Sequence, residues 1–499
     1  MSAHPRNAIL VSSALAVLSA CATVGPDYTP PPPPLSRHYD EPAEARLASG
    51  SPTTTDVTTR TQHIALGQKV SGDWWAVFQS TKLDEVMHRA ISGNLDLAVA
   101  DATIAQASQA VAVARGGLYP QIDYAAEAGR ERSAGSPEPP VTGFYSVSPR
   151  VSFDVDIFGS TKRLVEQRAA LADVARRRFD AAYLTLTGHV ASQALLLASA
   201  RAQIAALERL LADDEKNLEL VRMAHLNGSV TQVDVSLAET QLAQDQTLLP
   251  PLAQQRNVAR HALSILAGSG PADWVAPDFD LTDFTLPSNL PVSLPAELAH
   301  DRPDILEAEA ELHAASAAIE IATANLYPHL TVSATGAIPG TLLAGGGTLW
   351  SVMAGLTGPL FHGGALEANR RAAVDNYNAS FANYQRTVIK SLGQVADVLQ
   401  SVNHNAQEYS AQERALAAAA TSLRLNHEGL RQGEAGVLQV LDAERAYQRA
   451  LLGEIQTRTA QYLDTVELSV ALGGNSIGTS LTAAFSKTAF EYEANINHE

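Results

Sequence analysis

Across 499 residues there is a single cysteine, Cys21. That excludes a disulfide framework and any site built on several thiolates. Basic residues are also scarce: 35 Lys and Arg stand against 53 Asp and Glu, a formal net charge of −18. A phosphate backbone is held by clustered Lys and Arg, so nucleic acid is excluded as a partner. Beyond the N-terminus no segment offers 18 consecutive apolar side chains, so no spanning helix is expected. A body that crosses a bilayer without one needs a closed β-barrel, because unpaired backbone groups are too costly in hydrocarbon. Catalytic patterns are missing too. HEGLR (427–431) lacks the second His of HExxH, and GGG (345–347) has neither the Lys nor the strand-to-helix context of a phosphate loop. The reading is a non-enzyme, with no metal and no cofactor beyond a covalent lipid.

What is present begins with an export signal. Arg6 supplies a basic start, Ala8 to Val17 an apolar stretch, and Leu18-Ser19-Ala20 precedes Cys21. LSAC resembles a bacterial lipobox, whose cysteine is acylated and becomes the mature N-terminus. Ala22 rather than Asp follows it, which under the lipoprotein sorting rule implies the outer membrane. GPDYTPPPPPL (25–35) is too Pro-rich for helix or interior strand and reads as an extended tether.

The body is one unit written twice. LYPQIDYAAEAG (118–129) is echoed by LYPHLTVSATGA (326–337) at an offset of 208. Gly228 and Ala238-Glu239 match Gly433 and Ala443-Glu444 at an offset of 205. Each copy has a helix of about 35 residues ending at Leu-Tyr-Pro, a strand hairpin, a very long helix, a Gly turn and a return helix. About 66 helical residues would span about 100 Å, rod geometry rather than a globular core.

Signal peptide 1–20 and a tether and arm over 21–82 therefore precede repeat 1 at 83–268, with hairpin 119–159, long helix 160–225 and return helix 232–268. A linker over 269–298 leads to repeat 2 at 299–472, with hairpin 327–361, long helix 365–430 and return helix 437–472; a tail covers 473–499. Trp74-Trp75 read as packing of the arm.

One strand is two-faced. Tyr145, Val147, Pro149, Val151, Phe153, Val155 and Ile157 alternate with Ser146, Ser148, Arg150, Ser152, Asp154 and Asp156. Two hairpins supply four strands, and four cannot close a transmembrane barrel that needs about eight or more. The protein must oligomerise.

CATVGPDYTPP (21–31), DWWAVFQSTKLDEVMHRAISGNLDL (73–97), LPAELAHDRPDILEAEAEL (294–312), LYPHL (326–330) and GVLQVLDAERAY (436–447) resemble the outer-membrane efflux proteins, the TolC-like and OprM-like channel-tunnels, in their lipoprotein branch. The resemblance spans nearly all the mature chain. It implies a mainly α fold with a transmembrane β part: a homotrimer whose four strands per chain close a twelve-stranded barrel in outer-membrane lipid, with a twelve-helix tunnel through the periplasm. The 269–298 and 473–499 segments would form a belt around the tunnel. It also implies a periplasmic adaptor docking near the Gly228 and Gly433 turns, an inner-membrane pump of RND type, and efflux of small molecules. The odd strand residues would face lipid, with Arg150, Ser152, Asp154 and Asp156 lining the lumen. Leu438, Asp442 and Arg445, at i, i+4 and i+7 on one helix face, match an apolar constriction, an Asp ring and its basic partner. Gln439 stands where some relatives carry a second Asp. Two other readings stay open: a same-architecture channel for type I protein secretion, and a non-conducting lipid-anchored periplasmic scaffold.

Overall fold

The computed structural model describes residues 25, 27–33, 36, 38–40, 44–45, 62–70, 72–132, 141–341 and 348–474. Signal segment 1–20, Cys21, the GGG at 345–347 and most of the 473–499 tail lie outside the described residues. The chain divides into two compact units, one of residues 1–32, 102–177 and 307–386, the other of 33–101, 178–306 and 387–499.

The first unit holds one four-stranded antiparallel sheet. β2 (Gln121–Arg132), β3 (Val141–Val155), β5 (His329–Thr341) and β6 (Leu349–Thr357) lie side by side in that order. The hairpins of the two repeats meet at β3 and β5, where Val151 pairs with Ala334 and Phe153 with Val332. Ile122 pairs with Val151, Tyr124 with Pro149, Ala334 with Val352 and Leu330 with Leu356. Because side chains alternate in step with the pairing, one face gathers Ile122, Tyr124, Val147, Val151, Phe153, Val332, Val352 and Leu356. The other carries Asp123, Ser148, Arg150, Ser152, Asp154, Thr331, Ser333 and Thr335. Tyr124 (82% exposed) and Trp350 (80%) show how open the apolar face is in a single copy. β2 and β6 have no outer neighbour within this sheet.

The long helices are α3 (Ser160–Leu226) and α8 (Ala365–Gln432). The helix before each hairpin is not one piece. In the first repeat it is α1 (Thr81–Gly93) and α2 (Leu95–Gly116), hinged at Asn94, whose Oδ1 caps Leu97 N–H while its amide donates to Leu266 O. In the second it is α6 (Pro295–Asp301) and α7 (Pro303–Ala324), with Arg302 extended because Pro303 follows. The return helix expected over 232–268 is likewise two, α4 (Gln232–Gln246) and α5 (Leu249–Leu266). Pro250 and Pro251 lack N–H groups and their rings clash with the carbonyls four residues back, at Gln246 and Thr247, where α4 stops. Its counterpart α9 (Val437–Ala471) has no proline and runs unbroken.

The second unit packs around Trp74, Trp75, Phe78, Phe279, Phe284 and Tyr462. Trp74 donates to Thr187 Oγ1, Trp75 to Asp84 Oδ1, and Tyr462 Oη to Phe284 O, so each polar tip is satisfied. The arm and linker also form a parallel two-stranded sheet unseen in the sequence, β1 (His63–Leu66) on β4 (Asn289–Val292). Arg302, itself buried, donates to Ala471 O and so caps the C-terminus of α9.

By length and composition α2 and α3 are also apolar enough to cross a membrane. The relevant stretch of α3 is 61% buried in the fold, that of α2 only 17%. Leu95 and Val113 on α2 stand open in a single copy.

Candidate gate and channel-lining sites

α9 begins just after the Gly433 turn, and its first turns carry the candidate gate. Gly228 and Gly433 both adopt positive φ (72° and 75°), a conformation that favours glycine, and end α3 and α8. Ser229 N–H closes on Ala224 O and Glu434 N–H on Gly429 O. Each turn reverses the chain within a few residues, so a return helix runs back beside the long helix it follows.

Leu438 and Asp442 are both exposed, a leucine one turn before a carboxylate. Asp442 Oδ1 lies 3.8 Å from Arg445 Nη1, an ion pair longer than a hydrogen bond. Arg445 Nε donates instead to Gln241 Oε1 on α4. The arginine thus ties the first-repeat return helix to the second. Leu218, Val221, Val235, Ala238, Val437 and Leu441 form the apolar cluster beneath this end of the helices.

The sheet sites separate. Arg150, Ser152 and Asp154 share the polar face, and Asp154 accepts from Thr331 Oγ1 at 2.6 Å across the repeat boundary. Asp156 does not belong with them. β3 ends at Val155, and the Asp156 carboxylate accepts from the N–H groups of Thr161 and Lys162, capping α3. Its reading as a lumen residue gives way to a helix cap, where a carboxylate meets unpaired N–H groups and the positive end of the dipole.

Two buried ionic clusters were not expected. Arg163 is buried with Glu320, pairs with Glu166 (2.6 Å), and donates to Gly25 O and the Asp27 carboxylate of the tether. Tyr28 stacks on His313 with ring centroids 4.3 Å apart, and burial pushes Glu320 up to about 7. The second cluster is Asp214, Asp245 and Glu444, beside a cavity of about 850 Å³ lined by residues of α3, α8 and α9. Burial, then Asp245 and Glu444, pushes Asp214 up to about 8, and burial puts Glu444 at about 7. One signal was available in the repeat itself. Glu444 matches Glu239, yet Glu239 pairs at the surface with Arg222 while Glu444 is buried.

The profile of the outer membrane efflux protein family matches residues 86–269 and 294–474, one stretch for each repeat. The chain belongs to that family. It is an outer-membrane protein of a channel and transport family, not of an enzyme family. Its relatives include the pyoverdine export outer membrane protein OpmQ of Pseudomonas aeruginosa, 27% identical over 475 residues, 92% of this chain and 96% of that one. The toluene efflux pump outer membrane protein TtgF of Pseudomonas putida is 29% identical over 483 residues, 93% of this chain and 96% of that one. The Campylobacter jejuni CmeC outer membrane channel superposes with a TM-score of 0.80 at 18% identity, over 94% of this chain and 98% of that one. Efflux channels of this family combine a helical barrel with a β part, the fold class that the resemblance implied.

Proposed function

We propose that three copies of this chain form the exit duct of a tripartite efflux system, conducting small molecules handed on by a periplasmic adaptor and an inner-membrane pump of RND type. One observation carries the reading: a four-stranded sheet with one apolar face, one polar face and two edges that have no neighbour among the described residues. An open edge in hydrocarbon leaves backbone groups unsatisfied, so β2 of one copy pairs with β6 of the next and closes the ring. The exposed apolar side of α2 supports the same association. Polar side chains Arg150, Ser152 and Asp154 then face water and the apolar side faces lipid. Relatives named for pyoverdine export and toluene efflux support small-molecule cargo.

Leu438 and Asp442 form the constriction, and the Gly228 and Gly433 turns present the end on which the adaptor docks. Acylated Cys21 anchors the tether to the periplasmic leaflet, with Arg163 gripping it at Gly25 and Asp27. The test is conductance of the purified protein in planar bilayers, with and without adaptor. Discrete channels that widen with adaptor are expected; absence of any conductance from a stable trimer would favour the scaffold.

A further inference from the structure

Asp214 on α3, Asp245 on α4 and Glu444 on α9 are each at least nine-tenths buried. Asp245 is fully engaged: Gln241 Nε2 donates to one oxygen at 2.5 Å and Gln448 Nε2 to the other at 2.9 Å. Asp214 is not. Its Oδ2 receives no donor among the described residues, and the group it faces is the Asp245 carboxylate. Two ionised carboxylates are both acceptors and repel; a bond between them requires a proton.

The surrounding charges do not replace that proton. From α8, His427 Nε2 lies 3.5 Å from Glu444 Oε1, and burial followed by Arg431 disfavours its charged form. Arg424 of α8 pairs with Glu428. On α3, Asp213 adds further negative charge and is paired with Lys216, while Asn217 donates to Glu444. On α9, Arg445 is bonded to Gln241 rather than to any of the three acids. Glu444 Oε2 also lacks a donor among the described residues.

We propose that Asp214 and Asp245 form a proton-binding site that clamps α3, α4 and α9 together beside the mouth, so that opening is linked to proton release. The inference rests on the reading of the Leu438–Asp442 end of α9 as the gate. Asp245 is the hub: through Gln448 it holds α9 directly, and through Gln241 it holds Arg445 three residues after Asp442. With the proton present, the chain of hydrogen bonds is complete. Without it, two buried like charges press α3 and α4 apart, and the arginine tie goes with them.

The sign follows from Asp214 holding its proton in the packed state and ionising when exposed. The clamp is at full strength below the ordinary carboxylate range, weakens as pH rises above it, and is lost once pH passes about 8. One linked proton changes the open-to-closed ratio by at most about tenfold per pH unit.

The experiment records the purified full-length protein in planar bilayers from about pH 6 to about pH 9. Wild type is expected to open increasingly from about pH 6 to about pH 8 and to level off above it. Asp214→Asn, whose amide N–H replaces the shared proton, should stay closed throughout, whereas Asp442→Asn should keep the pH step. A wild type with no step, or an Asp214→Asn channel with an unchanged one, overturns the proposal while leaving the channel reading intact. Absence of conductance at every pH overturns the channel reading instead. The proton is then judged by the infrared C=O band of a protonated carboxyl, read as wild type minus Asp214→Asn at about pH 6. A difference band that disappears by about pH 9 supports the site, and no difference band overturns it. Asp245→Asn serves in the same comparison if Asp214→Asn does not fold.

Discussion

Arginine at position 151 tests the assignment of the two sheet faces. Outward apolar side chains run from Tyr145 to Val155 along β3. Ten residue steps at about 3.4 Å, tilted about 45°, give a band about 24 Å tall, close to the roughly 25 Å of outer-membrane barrels. Val151 lies near its middle, flanked in register by Ile122 on β2 and Ala334 on β5. A guanidinium there meets lipid at the most costly depth, about 2–4 kcal/mol per copy and about 6–12 kcal/mol for three copies in one barrel. Ser152→Arg, one residue on, points to the opposite face between Gln121 and Ser333 and should assemble normally. The assay is the fraction of heat-resistant trimer on gels, backed by urea unfolding from lipid vesicles. Equal yields for Val151→Arg and Ser152→Arg, or a worse outcome for Ser152→Arg, would refute the face assignment.

Asp442→Ala should raise single-channel conductance and lower cation selectivity, because three carboxylates at a narrow mouth concentrate cations; bilayer recordings in asymmetric salt decide it. Arg163→Ala leaves buried Glu320 without its partner and should destabilise by about 3–5 kcal/mol, with residues 25–33 becoming susceptible to limited proteolysis. Cys21→Ser should abolish acylation, seen by mass spectrometry, while the protein still fractionates with membranes, since one acyl chain binds only marginally and a barrel inserts almost irreversibly.

The period-2 text of β3 and the Pro-terminated helices made the hairpins, the long helices and the duplication readable, because a buried or lipid-facing face leaves its period in the sequence. Helix breaks were less readable. Pro250-Pro251 and Pro303 are plain signals, but they fall inside strongly helical text; the clash with carbonyls four residues back sets the end of α4, and the extended residue before Pro303 sets the end of α6. The β1–β4 pair was invisible: two four-residue strands lie more than 200 residues apart with no alternation between them. Leu438, Asp442 and Arg445 were picked out as a candidate gate by spacing and resemblance, whereas the bond from Arg445 to Gln241 left no sign in the sequence. Asp214 sits in LADDEKN, which reads as a solvated charged stretch; its burial arises only where three helices from both repeats converge. Asp156 looked like one more alternating polar residue, and its cap role follows from where β3 ends.

The unmatched outer edges of the sheet have a genetic consequence. Each copy offers one β2 edge and one β6 edge, of 12 and 9 residues, and neither closes on the other within a chain. A variant that folds its helices but cannot present β6 would still join its neighbours through β2 and leave a seam. In cells making it alongside an equal amount of normal protein, random mixing leaves only about one ring in eight free of the damaged copy when rings have three members. Such alleles would be dominant, whereas alleles that unfold the chain before assembly would be recessive.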